Sequence, residues 1–560
     1  MAHSRFVAIV LLTVAGIGAQ TLPPARSLDV QPRVGVLGTT AITLPEVIQR
    51  VLANDRDIEV SRIAREEANY NIQSARGYYD PRLGLNAYRV KSVTPISSLI
   101  GGGANGKLTQ TQLYADPQLS GVSPWLGGSY KLDFASSRQR SDSTFITLNP
   151  QFPTALSLNL TQPLWRGLRF DDNRHRLQVA RKNQTLTDEQ FRQRVIEVAT
   201  QAVQAYWELD YAYRSLEVQI DAVRLAEKQD QSNRRQVQQG LLAPVDVIAT
   251  QTQIANFEQN IFIAQETLTR NENALKALML PNRNDMMWGV ALIPQTPPSA
   301  HISAPLLDEA VKRALKTRPE LAESNVSIEL NDLDTRLTRE LAKPQIDAVG
   351  TFSLAGLAGR PLPPGPNPFT ASTDALLQRL NILSGLAGLP LIPPVSFGSG
   401  GVPPVFVGGY GQSLGNLTAG SFPTAQVGVQ MSLPLRNRTA NAQAAISAAE
   451  GRRLRTLREQ TEMAIEADVR NSLQGLESAQ SRLDAAARAR QSANEQYQSE
   501  QRQFQAGTST VFLVLQRQTD LIAARTREVR AQADLGRAAA DLDRATAQTI
   551  QTQNINIATK

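Results

Sequence analysis

Four stretches of this chain recur in its second half, in the same order and at a nearly constant separation. Phe152-Pro153-Thr154 and Phe422-Pro423-Thr424 lie 270 residues apart, and Pro163-Leu164 and Pro434-Leu435 lie 271 apart. QVQQGLLAPVDVI (236–248) answers QFQAGTSTVFLVL (503–515), with Gly240 and Gly507 267 apart. LPEVIQRVLANDRDIE answers LDEAVKRALKTRPELA, with Arg50 and Arg313 263 apart. Whatever supersecondary unit the first half forms, the second half forms again, so the fold is a unit used twice.

The unit reads as short helix, strands, long helix, sharp turn and short helix. The first copy, 44–280, places helices at 44–79, 173–239 and 245–280, with strands between 82 and 162. The second, 304–549, places them at 304–342, 437–506 and 509–549, with strands between 345 and 434. At helical rise the long helices would span roughly 100 Å and the short ones roughly 54 to 62 Å. A long helix can therefore lie beside two short ones. Ile254, Ile261, Leu268 and Leu275 fall seven apart, with Phe257, Ala264, Asn271 and Leu278 three behind. Val195, Val198, Ala202, Tyr206, Leu209, Tyr213, Leu216, Ile220 and Val223 step by threes and fours. Sustained over this length, the spacing predicts coiled-coil seams. Residues 20–43 and 281–303 read as linkers, and 550–560 as a tail.

The strands have a different periodicity. Leu156, Leu158 and Leu160 alternate with polar residues, and so do Ala425, Val427, Val429, Met431 and Leu433. Ile346, Ala348, Gly350, Phe352 and Leu354 form a third run, and Leu83, Leu85 and Ala87 a weaker fourth. The chain has almost no other sheet sequence on which such strands could pack, which favours lipid as the second layer. Trp125 and Trp165 stand near strand ends, where an aromatic girdle would lie. Pro163 and Pro434 mark the junctions of strand and helix, where proline is tolerated. Four strands per chain cannot close a barrel, because about eight is the minimum. Three copies would give twelve strands and no open edge. The Gly- and Pro-rich stretches 95–106 and 356–420 read as outer loops, the second partly disordered or plugging.

Export follows from the first twenty residues, where Arg5 precedes an apolar run from Phe6 to Ala19. This is a secretory-signal pattern (1–19), too short to span a bilayer as a helix. There is no cysteine in the chain, which removes disulfides and thiolate metal sites. The net charge of +7 arises from basic residues interspersed with acidic ones, a pattern of solubility and not of a nucleic-acid partner. Gly101 to Lys107 fits the opening of a phosphate-binding loop, but Leu108 stands where Ser or Thr would hold magnesium and no helix pattern follows. His3, His175 and His301 are scattered, without partners at ligand spacing, and the latter two read as solvated. No catalytic residue, cofactor site or metal site is expected.

The signal, the duplicated unit, the QPL and LPL strand exits and the Gly-centred turns together resemble the TolC family of outer-membrane efflux proteins. The nearest motif matches are QVQQGLLAPVDVIATQTQIA (236–255) and FQAGTSTVFLVLQRQTDLIAA (504–524). The resemblance implies a homotrimer whose twelve-stranded barrel in outer-membrane lipid continues as a long α-helical barrel in the periplasm. It implies a passive duct of a tripartite efflux or type I secretion system, served by an inner-membrane pump through a periplasmic adaptor. The adaptor-binding tips would be Gln239, Gly240, Leu241, Leu242, Ala243 and Pro244, with Ala506, Gly507, Thr508 and Ser509. Gly240 and Gly507 also fit a plain helix-terminating role. Some family members narrow the entrance with Arg and Asp just after the second glycine. Here Ser509, Leu513 and Gln516 stand there, with Asp246 in the first repeat and Asp520 one turn beyond Gln516. Leu513 would then close the entrance by apolar contact. The competing function from another class is a surface-exposed or periplasmic structural coiled-coil protein without transport activity.

Overall fold

A computed structural model describes residues 33–97, 106–143, 146–298, 301–362, 371–393 and 402–555. The expected signal, most of the 95–106 loop and part of the 356–420 insertion lie outside these residues. In chain order the helices are α1 (Leu44–Asn54), α2 (Arg56–Arg76), α3 (Asp172–Gln238), α4 (Pro244–Met279), α5 (Leu307–Thr317), α6 (Pro319–Leu341), α7 (Ala371–Leu386), α8 (Tyr410–Thr418), α9 (Arg438–Gln505), α10 (Val511–Ala545) and α11 (Thr549–Thr552). The strands are β1 (Gly38–Ile42), β2 (Arg82–Pro95), β3 (Lys107–Val122), β4 (Ser129–Ser141), β5 (Leu148–Pro163), β6 (Val290–Pro294), β7 (Gln345–Pro361) and β8 (Pro423–Ser432). The chain forms two compact units, and each repeat contributes to both.

The helical unit comprises residues up to 66, 185–325 and 456 onward. Its core follows the heptad seams. Ile254, Ile261, Leu268 and Leu275 of α4 are all buried, as are Val195, Val198, Ala202, Tyr206 and Leu209 of α3. Ile522 of α10 joins Ile254, Phe257 and Ile261 in one cluster. The two linkers expected at 20–43 and 281–303 are in part ordered strands. β1 and β6 pair in parallel, Gly38 opposite Val290 through Ile42 opposite Pro294, and Ile42 and Leu292 enter the core. These strands are five residues each, too short for a period of two to register against the surrounding coil.

The first helix of each repeat is broken, not continuous as its periodicity suggests. In the first repeat Asp55 ends α1, and its Oδ1 accepts the Asp57 and Ile58 amides at 2.9 and 3.1 Å, which caps α2. In the second, Pro319 holds Arg318 out of helical conformation. The Arg318 guanidinium is buried, with Glu320 at 2.6 Å, Asp468 at 2.7 Å and the Ala545 carbonyl at 3.2 Å.

The sheet unit comprises residues 67–184 and 326–455. Its single sheet runs β2-β3-β4-β5-β7-β8, antiparallel at every pairing. Six strands replace the four expected, so a count of twelve built on four per chain no longer holds. The additional pair is the β3–β4 hairpin of the first repeat, which has no counterpart among the described residues of the second. β3 carries Pro117 at its middle, a residue that argues against a strand when read from sequence. The 356–420 insertion is also more ordered than a loop. Residues 356–361 continue β7, 371–386 form α7, and α8 packs on the sheet.

Candidate membrane sheet and inter-helix turns

Alternate residues of a strand point to opposite faces, and the register assigns every strand's two sets to common faces. One face carries Leu83 and Leu85 of β2, Leu113 and Leu119 of β3, Leu132 and Phe134 of β4, and Leu156, Leu158 and Leu160 of β5. Phe352 and Leu354 of β7 and Val427, Val429 and Met431 of β8 continue it. The other face carries Asn86, Gln112, Gln118, Ser137, Ser157, Asn159, Thr351, Ser353, Gln426 and Gln430, with Lys131 and Asp133 in an ion pair. Outside the part that α8 covers, the apolar face is open. Leu83 is 82% exposed and Val427 91%. Water does not tolerate a continuous apolar face across six strands, whereas a bilayer requires one.

The helices α2, α3, α6 and α9 all meet the sheet at one end. β2 and β7 begin there, after α2 and α6, and β5 and β8 end there, before α3 and α9. The β3–β4 turn at the same end spans only Ser123–Gly128 and is closed by the Ser123 amide on the Gly128 carbonyl at 2.6 Å. At the opposite end the β4–β5 connection, 142–147, is equally short, whereas the β2–β3 connection is longer and the one between β7 and β8 longer still. Two long strand connections at the rim away from the long helices fit the extended outer loops of outer-membrane barrels. Pro163 closes β5 opposite Asp347, and the next amide, Leu164, bonds the Ile346 carbonyl at 2.8 Å. Pro434 lies between β8 and α9, where Asn437 takes a positive φ and its side chain donates to the Ala342 carbonyl at 2.7 Å. Trp125 and Trp165 are both exposed at this rim. His175 is not solvated as its isolation suggested. Its Nε2 lies 2.7 Å from Asp334 Oδ1, with Phe170 against its ring.

On the β7 side, α8 lies across the upper part of the apolar face. A Cβ on Gly356 would fall 2.2 Å from the Ser413 carbonyl and 2.6 Å from Thr154 Oγ1, so only glycine admits the helix at that distance. Asn416 fixes α8 by donating to the Leu357 and Val405 carbonyls at 2.8 and 2.7 Å. Sequence alone did not mark this helix, because YGQSLGNLT carries two glycines within nine residues.

In the helical unit the two predicted turns share one geometry. Gly240 has φ 72° and Gly507 φ 76°. The Gly240 amide bonds Val237 and the Leu241 amide bonds Gln236, at 3.0 and 2.9 Å. Gly507 bonds Phe504 and Thr508 bonds Gln503, both at 3.0 Å. Both are Schellman endings, and each satisfies helix-terminal carbonyls with a left-handed residue. The Thr508 hydroxyl adds a bond to the Gln503 carbonyl at 3.1 Å, and the Ser509 hydroxyl donates to Glu500. Ala243 and Pro244 start α4 without a side-chain cap. Leu242 packs on the cluster of Phe504, Val511 and Val514, so the two turns are neighbours. Gln239, Leu241 and Ala506 remain exposed, Leu241 at 73%.

Beyond the turns, Leu513, Gln516 and Asp520 are exposed on α10, while Asp246 is half-buried in the first turn of α4. Two residues absent from the sequence expectation join them. Phe512 is 72% exposed, and Arg517 lies 3.5 Å from Asp520. The spacing of Arg517 and Asp520, three apart on a helix, was the available signal.

A six-stranded sheet with one open apolar face, combined in one chain with duplicated coiled-coil helices, is the make-up of an outer-membrane efflux protein. The chain belongs to the family described as outer membrane efflux protein, whose profile matches residues 129–279 and 404–548, more than half of the sequence. Among solved structures it is similar to the outer-membrane channel OprN, at 13% identity and TM-score 0.61, over 90% of each chain. It is also similar to CusC, at 15% and 0.60, over 90% of this chain and 91% of that one. The Campylobacter jejuni CmeC outer membrane channel matches at 14% and 0.57, over 96% of this chain and all of the other. At these identities the likeness shows the fold. No curated protein sequence matches the chain.

Proposed function

We propose that three copies assemble into the outer duct of a tripartite efflux or type I secretion machine. The duct is passive. An inner-membrane pump supplies the energy, and a periplasmic adaptor docks on the tips Gln239–Pro244 and Ala506–Ser509. The observation that carries this is the two-faced sheet, which is unsatisfied until lipid covers one side and other strands cover its edges. Six strands per copy keep the closing contact antiparallel, because β2 and β8 run in opposite directions, and three copies supply eighteen strands. Exposed Phe512, Leu513, Gln516 and Asp520, with Asp246, then line the periplasmic entrance, where Leu513 and Phe512 offer an apolar constriction.

Site-directed crosslinking tests the orientation, made clean by the absence of cysteine. Cysteines at Leu242 and Thr508 are expected to capture the adaptor. Adaptor crosslinks confined to positions beside the sheet, such as Arg169 or Arg436, would sink it. Native mass spectrometry in detergent is expected to return a trimer, and an inserted monomer would remove the basis for the closed barrel.

A further inference from the structure

The apolar face of the sheet changes character toward the rim opposite the helices. Above the leucine band, the same outward positions become Arg89 and Lys91 on β2 and Arg138 and Arg140 on β4. Arg89 and Arg138 both lie opposite Leu113, and Lys91 and Arg140 both lie opposite Thr111. The four cations therefore form a rectangle of adjacent rows, about 10 Å across two strand spacings and about 7 Å along each strand. Two uncharged side chains of β3 floor it. All four are exposed. In the six strands this face carries no Asp or Glu. Asp142, just past the end of β4, is engaged by the Thr109 amide at 2.7 Å. Ser136, the next outward residue of β4 below Arg138, donates to the Tyr410 hydroxyl of α8 at 3.0 Å, so the start of α8 borders the rectangle at one lower corner.

A cationic patch immediately above a lipid-facing band sits at headgroup depth. Cations facing the lumen would act on passing substrate, but these share their face with the leucines. We propose that Arg89, Lys91, Arg138 and Arg140 form a binding site for the phosphate groups of a phosphorylated glycolipid in the outer leaflet. The acyl chains would lie down the apolar band below. Guanidinium groups suit this ligand because each offers paired N–H donors to phosphate oxygens. Rigid strands hold the charges in place, so the site needs no rearrangement to form.

This inference rests on the barrel reading of the sheet, and the experiment separates the two. The trimer, purified in detergent, is mixed with diphosphorylated lipid A, dephosphorylated lipid A or inorganic phosphate, and adducts are read by native mass spectrometry. Retention of the diphosphorylated lipid is expected, with at least ten-fold less of the dephosphorylated one. The variant R89Q/K91Q/R138Q/R140Q is expected to lose that preference, while K131Q on the polar face keeps it. Should the fourfold variant fail to assemble, the pairs R89Q/K91Q and R138Q/R140Q are each expected to cut retention severalfold. Equal retention by the variants, or of lipid with and without phosphate, would overturn the site while leaving insertion intact. Competition by millimolar inorganic phosphate alone, without any lipid preference, would also overturn it by identifying a free-anion site. Failure of the wild type to insert would instead overturn the barrel.

Discussion

The two repeats differ where they meet lipid and agree where they meet each other. Their turns at Gly240 and Gly507 superpose in hydrogen-bond pattern and in φ, and each repeat breaks its first helix after eleven residues. Their sheet portions have diverged. The first repeat inserts the β3–β4 hairpin between its outer strands, and the second places α7 and α8 in its strand connection instead. A coiled-coil seam constrains every seventh residue of both partners, so a change in one helix must be answered in another. A sheet with lipid on one side accepts another hairpin as long as alternation and even strand number are kept. Duplication therefore persists in the helices and fades in the strands.

Removing the asymmetry tests this most severely. Deleting 97–146 joins β2 to β5 and leaves two strands per repeat with outward parity intact. The shortened trimer is expected to insert, and its single-channel conductance in planar bilayers is expected to fall by about half, since barrel diameter grows roughly linearly with strand number. With the entrance widened by Phe512→Ala and Leu513→Ala in both proteins, unchanged conductance would mean that the hairpin lies outside the barrel wall.

The helix breaks are next. Arg318→Ala strands Glu320 and leaves Asp468 with Arg544 alone, and is expected to cost about 3 kcal/mol, whereas Asp55→Ala removes only a cap and is expected to cost about 1 kcal/mol. Thermal unfolding followed by circular dichroism ranks them; equal losses would show that the two breaks are equivalent in energy as well as position.

Glu323 gives a pH signature that belongs to the second repeat. Burial, followed by the charges of Glu320, Glu189 and Glu197, pushes its pKa up to about 7. The folded state thus holds the proton more tightly than the unfolded state, so this group's stabilisation is present at low pH and is lost as pH rises from about 4.5 through 7. Glu323→Gln is expected to flatten that part of the profile and to raise stability at pH 8 by on the order of 1–2 kcal/mol. A Tm difference between variant and wild type that is the same at pH 5 and pH 8 would remove the titration.

The smallest effect is the sharpest on symmetry. Gly240→Ala and Gly507→Ala each place a β-carbon at positive φ and are expected to cost about 1 kcal/mol apiece. Both turns have open space around the added carbon, so unequal losses would point to a contact in the assembled protein on one turn only.

The helices were legible because a period sustained over 67 residues leaves few alternatives. The Gly turns were legible because the same residue stood at the same place twice. The strand count was not. β3 alternates apolar and polar residues only around a proline, and its outward positions pass from Leu113 to Thr111 and Thr109 without a break in the strand. Asp55 and Pro319 signalled the helix breaks locally, but the heptads on either side of each hid them. Docking of α8 was invisible because it depends on Gly356 and Thr154, far away in sequence, leaving room for Ser413. Arg89, Lys91, Arg138 and Arg140 were equally silent, since only the strand register puts them in adjacent rows.

β8 is ten residues long, whereas the strands inside the sheet run from 13 to 17. Above Leu354, where β8 gives out, the edge of β7 is taken by Val407 and Gly408 of the same chain. Any strand of a neighbouring copy therefore has at most ten residues of ladder to zip against, fewer than are available to an inner pair such as β2 and β3. Mechanical or thermal stress is then expected to part the proposed trimeric ring along its three short seams first, releasing protomers whose sheets are still folded. Assembly would run in reverse: each chain completes its own arc of wall, and the ring snaps shut last.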